Sequence, residues 1–554
     1  MAMDRTARRG RTRRSAVVVL VGALGLPLLS ATPALAGPGP APAPKAPAGA
    51  TVMKDQWGDP VADKVSKALD GTYKADKDPG SLFTVTTAIG ARKVWAQKDA
   101  SGRAVTGQGV TVALLDSGVA PVEGLDGAGK IVNGPDLSLE SGSAALRNLD
   151  TFGHGTHLAA IIAGEDAVDR DPRSGGPTGA KPGDQLGVAP DATLLPLKLA
   201  TANGSTDVSQ VVAALDWVSQ HAHDNGMNVR VVNLSFGTDS LQPYQLDPLA
   251  AAAENAWRHG VVVVVSGGNE GQQTFRLTDP AMDPYVIAVG ASDPNQSVAG
   301  WKAPSVAAFT NSGTADRHVD LLAPGRSITS LRDPGSSVDQ EHPEGLVTGD
   351  TSTRLFRGSG TSQAAAVVSG AAALLVQANP SLTPDQVKAA LVGTATPLAG
   401  VPAVSQGAGQ LDVEAAVGLV RAALTPGPAQ TALKAAVQRF PVASGTGSLE
   451  AARGGANLVD LASGTVLSGE VDVQGKPFRA ASWAKLSAAG TAWTGGVWNS
   501  ARWSGDTWES ARWSGSTWQS ARWSSARWSS DGWDSARWSD SSWDSARWSS
   551  ARWG

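Results

Sequence analysis

The sequence predicts an α/β fold, a mostly parallel sheet flanked by helices, plus a C-terminal region of another kind. Three observations carry the prediction. Short apolar runs suited to buried parallel strands recur between residues 81 and 420. Helical patterns lie between several of them, and such alternation marks a parallel sheet covered on both faces. Beyond residue 490 a tryptophan stands at every fifth position, from Trp493 to Trp553.

The chain begins with residues that belong to neither region. Residues 1–14 carry six arginines and one acid, Asp4. An apolar run from Ala16 to Leu29 follows, and Ala34-Leu35-Ala36 offers a small-x-small cleavage pattern. Basic, apolar, small-residue order reads as a secretory signal peptide over residues 1–36, the apolar run being too short for a bilayer that needs about 20 residues. These 36 residues hold six of the 46 Lys+Arg and one of the 50 Asp+Glu, so the remainder carries a formal charge of −9. With no basic patch, nucleic acid is not expected as a partner. The chain has no cysteine, which excludes a disulfide framework, a thiol nucleophile and Cys-ligated metal sites. Stability must come from the core of a large domain.

Residues 37–80 form a Pro/Ala/Gly-rich linker and a short, charged pro-segment. The expected compact α/β block is 81–420. Its predicted strands are 110–115, 193–199, 229–234, 261–265 and 286–289. Between them, residues 208–225 place Val208, Val211, Val212, Leu215, Trp217 and Val218 mostly on one helical face. Residues 248–259 are Ala-rich, and Thr383-Pro384-Asp385 combines a cap residue, Pro at the first helical position and an early acid. Residues 421–485 read as a linker with a small β segment near 465–471. Residues 486–554 are the repeat.

A five-residue period turns about 140° per step on an α-helix and alternates faces on a flat strand, so a Trp stripe requires the chain to bend once per repeat or per pair. A β-solenoid-like stack, with each turn burying its Trp on the next, is the favoured expectation, and a disordered low-complexity tail rich in Ser and Gly is the alternative. A structural role is the simplest one. Attachment to the cell envelope, or glycan binding on the Trp faces, is the other.

Open parallel sheets place their sites at the carboxyl ends of strands. After the first strand comes Asp116-Ser117-Gly118. Alone, such an Asp is more often a turn former. Gly153-His154-Gly155-Thr156-His157 opens a small-residue helical run. Two histidines three apart suggest a metal, but no carboxylate stands at a partner spacing, and no metal site is expected. Gly358-Ser359-Gly360-Thr361-Ser362 leads into a second small-residue helix. Alone, Ser362 reads as a helix cap.

Together these segments, in the chain order Asp, His, Ser, resemble the subtilisin-like serine peptidases of the secreted bacterial type. Supporting pieces are Gly187-Val188-Ala189-Pro190, Asn233-Leu234-Ser235-Phe236-Gly237, Ser266-Gly267-Gly268-Asn269 and Leu322-Ala323-Pro324-Gly325. The resemblance implies that Asp116 orients the imidazole, His154 is the general base and Ser362 is the nucleophile. It implies that Asn269 donates to the oxyanion, and that Ser235, Phe236, Gly237, Gly267 and Gly268 line the substrate site. His157 and Asn233 are expected to support the fold. No cofactor is required, and structural calcium is left open by the resemblance. The expected partner is a protein or peptide substrate, outside a bacterial cell or at its surface. Gln363 and Ala366 depart from the family's usual Met and Pro, which touches specificity and helix entry rather than proton transfer. The rival expectation is a surface-binding or structural protein with a vestigial peptidase domain.

Overall fold

The computed structural model describes residues 72–503, apart from 295, 298–299, 302–303 and 461–463, together with two-residue strands at 518–519, 527–528 and 551–552. The expected signal peptide, nearly all of the pro-segment and most of the tryptophan repeat lie outside the described residues.

Long runs of Val, Leu and Ala that are apolar on both faces can be buried only inside a covered sheet. Six such strands run parallel: β1 Thr111–Asp116, β2 Thr193–Lys198, β3 Val229–Leu234, β4 Val262–Ser266, β5 Ile287–Asp293 and β6 Leu321–Pro324. Their spatial order is β6-β5-β4-β3-β1-β2, and Ser305–Val306 pairs antiparallel with β5 as the seventh strand. All five expected strands are present. The sixth was not expected as a strand. It is four residues long, ends in Pro324 and lies at the sheet's end in that order, where a proline is tolerated.

The helices form where caps and apolar stripes coincide. The first, α1, spans His154–Ala163 and is buried along its whole length. Helix α2, Val208–His221, starts with a capping box in which Asp207 and Gln210 satisfy each other's end of the first turn. It stops four residues short of the expected end. Helix α3, Pro248–Arg258, is capped by Asp247. Helix α4, Thr361–Ala378, is long and apolar enough to cross a membrane, but all of it is buried inside the fold. Helix α5, Pro384–Thr394, is capped by Thr383 as its sequence predicts, and α6 spans Val413–Ala422. Strands β7, Ile328–Leu331, and β8, Leu355–Ser359, form an antiparallel pair whose second strand delivers the chain to α4.

The chain after α6 folds back onto the same unit. Arg453 is fully buried and pairs with Asp207 at the start of α2, Nε to Oδ2 at 2.7 Å. Its Nη1 and Nη2 donate to the carbonyls of Gly469 and Val471. Helix α7, Ala480–Ala488, packs on α3. The expected small β segment is the pair Val459–Asp460 and Thr465–Val466.

The described start of the repeat is an antiparallel meander: β9 Trp493–Thr494, β10 Val497–Trp498 and β11 Ala501–Arg502. This differs from the expected stacked solenoid turn. Both connections are two-residue turns with positive φ at both positions, Gly495-Gly496 at 52° and 75° and Asn499-Ser500 at 47° and 64°. These are type I′ hairpin turns. Trp493 lies opposite Trp498, which lies opposite Ala501. Trp503 is two residues beyond Ala501, so all three rings share one face. They are 6%, 0% and 0% exposed. Trp493 Nε1 donates to the Ala213 carbonyl of α2, and Trp483 and Trp498 Nε1 each reach Asp216 Oδ2 at 2.7 Å. Ser487 donates to the other oxygen of Asp216.

Candidate functional site

The site gathers where β1 ends and where α1 and α4 begin. Asp116 is the last residue of β1, His154 the first of α1 and Ser362 the second of α4. Helices α1 and α4 pack against each other, and all three side chains are fully buried. The Asp116 carboxylate lies 3.0 and 3.1 Å from His154 Nδ1. Burial pushes the Asp116 carboxyl above the ordinary carboxylate range, an effect opposed by His154 and by the Ser117 N–H. With Nδ1 on the carboxylate, Nε2 is the ring nitrogen on the side away from Asp116. Ser362 Oγ has no hydrogen-bond partner among the described residues.

The turn of Asp116 and the first turn of α1 come very close. A Cβ on Gly155 would lie 2.1 Å from the Gly118 carbonyl oxygen, so only glycine permits the Asp–His contact. On the other side of Ser362, Asn269 Oδ1 accepts from the Thr361 N–H at 2.9 Å and from its hydroxyl at 3.0 Å. Holding the amide by its oxygen leaves Nδ2 as its donor end, beside the residue that precedes the nucleophile. Gly268 has φ 112°, and a Cβ there would meet the Asn311 amide at 2.4 Å, so the turn that presents Asn269 also needs glycine.

The predicted substrate-site residues flank this point. Ser235 Oγ lies 3.4 Å from the Ser362 carbonyl, which it faces as donor. Phe236 is fully buried, and Gly237 is overlaid by the Thr278 side chain. Gly267 donates its N–H to the Val289 carbonyl. Asn233 donates to Ser235 Oγ and accepts from Ser369 of α4, bracing that strand end against the helix. His157 is fully buried and pushed down to about 3, mainly by burial and then by His154, so it is neutral. No group of three or more His, Cys, Asp or Glu suited to a metal occurs among the described residues.

Residue types at motif positions do not reveal every contributor. Ser117 bonds Asp150 at 2.8 Å, and its oxygen accepts the Gly155 N–H. Lys198, opposite Asp116 in the β1–β2 register, is fully buried and donates to the Leu149 carbonyl and Glu140. Thr278 likewise lies outside every motif of the sequence. The one available signal was position: Asp150 stands four residues before His154, at the distance of a loop-capping carboxylate.

Comparison with known proteins bears on these motifs. The subtilase family model matches residues 107–410, more than half of the chain. The chain is 34% identical over 313 residues to the serine protease AprX of Bacillus subtilis (strain 168), covering 55% of this chain and 65% of that protein. It is 35% identical over 292 residues to the extracellular serine proteinase of Thermus sp. (strain Rt41A), covering 53% and 56%. It is 32% identical over 322 residues to subtilisin Savinase of Lederbergia lenta, covering 57% and 94%. The chain therefore spans less than two thirds of the length of the first two and nearly all of the third. A match that runs through all six parallel strands, with one relative aligned over almost its full length, shows that the chain belongs to the subtilase family.

Proposed function

We propose that the protein is a secreted serine endopeptidase that hydrolyses peptide bonds through an acyl-enzyme intermediate. The observation that carries this reading is the buried Asp116–His154 contact at the start of α1, with Ser362 buried at the start of α4, the helix that packs on α1. A serine hydroxyl is a weak nucleophile at its own pKa and needs a base to take its proton as it attacks. In this reading Asp116 holds the His154 tautomer with Nε2 as acceptor, and His154 Nε2 takes the Ser362 proton. Oγ bonds the scissile carbonyl carbon, and the Asn269 amide and the Ser362 N–H take the charge that builds on its oxygen. The imidazolium then returns its proton to the leaving amine. Water, activated by the same imidazole, releases the acyl group. These steps use side chains and backbone N–H groups only.

An extended substrate would add as a strand along Ser235–Gly237, with Gly267 and Gly268 forming the facing wall. Gly237–Thr238 pairs antiparallel with Ala551–Arg552, which supports this edge as one that takes an extended chain. Secretion is supported by the basic and apolar order of residues 1–36 and by the extracellular proteinase among the relatives.

The test compares the mature protein with a Ser362→Ala variant, using a fluorophosphonate probe and an unfolded protein substrate. The reading expects labelling and cleavage by the parent and neither by the variant. A parent that is not labelled and does not cleave would establish the vestigial alternative.

A further inference from the structure

Asp150 is 2% exposed and accepts five hydrogen bonds. Its Oδ1 takes the Ser117 hydroxyl at 2.8 Å, the Phe152 N–H at 3.1 Å and the Gly153 N–H at 2.7 Å. Its Oδ2 takes the N–H and the hydroxyl of Thr156, both at 2.7 Å. Three of the four donor residues, Phe152, Gly153 and Thr156, flank His154 in sequence. Two of the four also reach the Asp116 turn. Ser117 follows Asp116 directly and accepts the Gly155 N–H, and Thr156 Oγ1 accepts the Ala120 N–H at 2.9 Å. A single carboxylate thus ties the strand end carrying Asp116 to the helix start carrying His154.

The charges around it are few. Lys198 stands behind the loop and bonds the Leu149 and Leu146 carbonyls, Thr151 and Glu140. Asp333 approaches from the α1 side, is pushed up to about 9 by burial and then by Asp150, and is therefore neutral at pH 7. Asp116 itself feels Asp150 as a like charge.

We propose that Asp150 is a positioning residue for the proposed catalytic histidine. It sets the placement of the His154 ring against Asp116. Its fixed negative charge, lying behind that pair, favours the imidazolium that forms when the nucleophile attacks. The inference rests on the serine-peptidase reading above. A carboxylate that only pinned the loop would affect folding without altering the proton chemistry of correctly folded molecules.

The experiment measures kcat and KM per titrated active site, and the pH profile of kcat/KM, for the full mature chain and for Asp150→Asn and Ser117→Ala. Asn keeps the shape but loses the charge and turns a donor toward donors. Asp150→Asn is expected to lower kcat roughly 10–100-fold, as small misplacements of a catalytic group do, with KM within about threefold. Its acid limb should move to lower pH, because removing a neighbouring negative charge disfavours the imidazolium. Ser117→Ala keeps the charge, so kcat should fall by roughly three- to tenfold with the acid limb unmoved. An Asp150→Asn enzyme with kcat within about twofold of the parent and an unmoved acid limb would overturn the inference alone. Should that variant not fold, full kcat in Ser117→Ala would overturn it. A parent that the fluorophosphonate probe does not label would overturn the serine-peptidase reading first.

Discussion

Trp498 offers the sharpest test of how the C-terminal extension is held. Its ring is fully buried, stacks on Phe478 at 6.1 Å and meets Trp503 edge-on at 5.5 Å. Its Nε1 is one of three donors to Asp216. Truncating a buried Trp to Ala costs about 3–5 kcal/mol. Removing a donor from a buried carboxylate costs about 1–3 kcal/mol more. We take about 5 kcal/mol, toward the low end of that combined range. Unfolding entropy of about 2.1 cal/mol/K per residue gives about 0.9 kcal/mol/K for roughly 430 residues, so Tm should fall by about 5–6 °C. The assay is calorimetry in a Ser362→Ala background, which removes self-cleavage. Trp498→Phe keeps most of the ring contact but not the N–H and should lose about 2 °C. A Trp498→Ala protein melting within about 1 °C of its parent would refute the idea that this ring is part of the cooperative core.

Further outcomes follow from other contacts. Arg453→Ala leaves Asp207 buried and unpaired and should cost about 3–5 kcal/mol, read as a lower Tm and earlier proteolysis of the extension. Burial pushes Asp216 up to about 6, above its unfolded value of about 3.9, so the folded state holds that proton more tightly. Stability from this group therefore falls by about 3 kcal/mol as pH rises from about 4 to 6 and is flat above, a slope that Asp216→Asn should lack; equal slopes would contradict the assignment. Asn269→Ala should lower kcat by roughly 10²–10³, as loss of one such donor does in subtilisin, with KM little changed. Removing residues 504–554 removes the strand paired with Gly237–Thr238 and should lower KM for an extended peptide; an unchanged KM would show that the two do not compete.

What was legible in the sequence follows from what leaves a pattern. Val262–Val265 is apolar on both faces, and that alone assigns it to a covered sheet. Thr383 announces its helix through a cap. Asp116, His154 and Ser362 were found as residue types on glycine-bearing turns. Asp150 was not, because its partners are mostly backbone N–H groups and hydroxyls, which any loop could offer. The docking of residues 428–503 was also hidden. Asp216 reads as a polar position on an amphipathic helix, and only the fold reveals that Trp483, Ser487 and Trp498 close over it. The tryptophan period demanded a bend per repeat, and the meander supplies one. The sequence did not say that the bend would be a hairpin rather than a solenoid corner.

That hairpin gives the described repeat a parity. Three strand positions and two turn positions make one unit, and reversing the chain at each turn restores the face that an odd step would lose. Trp493, Trp498 and Trp503 stay in phase because both described connections are two-residue turns of positive φ that keep the pairing in register. Inserting one residue between Ala501 and Arg502 would turn Trp503 toward water and bring Arg502 to the buried side. Between Trp493 and Trp503 the strands can therefore change length only in steps that keep the side-chain alternation, much as a coding frame tolerates some insertions and not others.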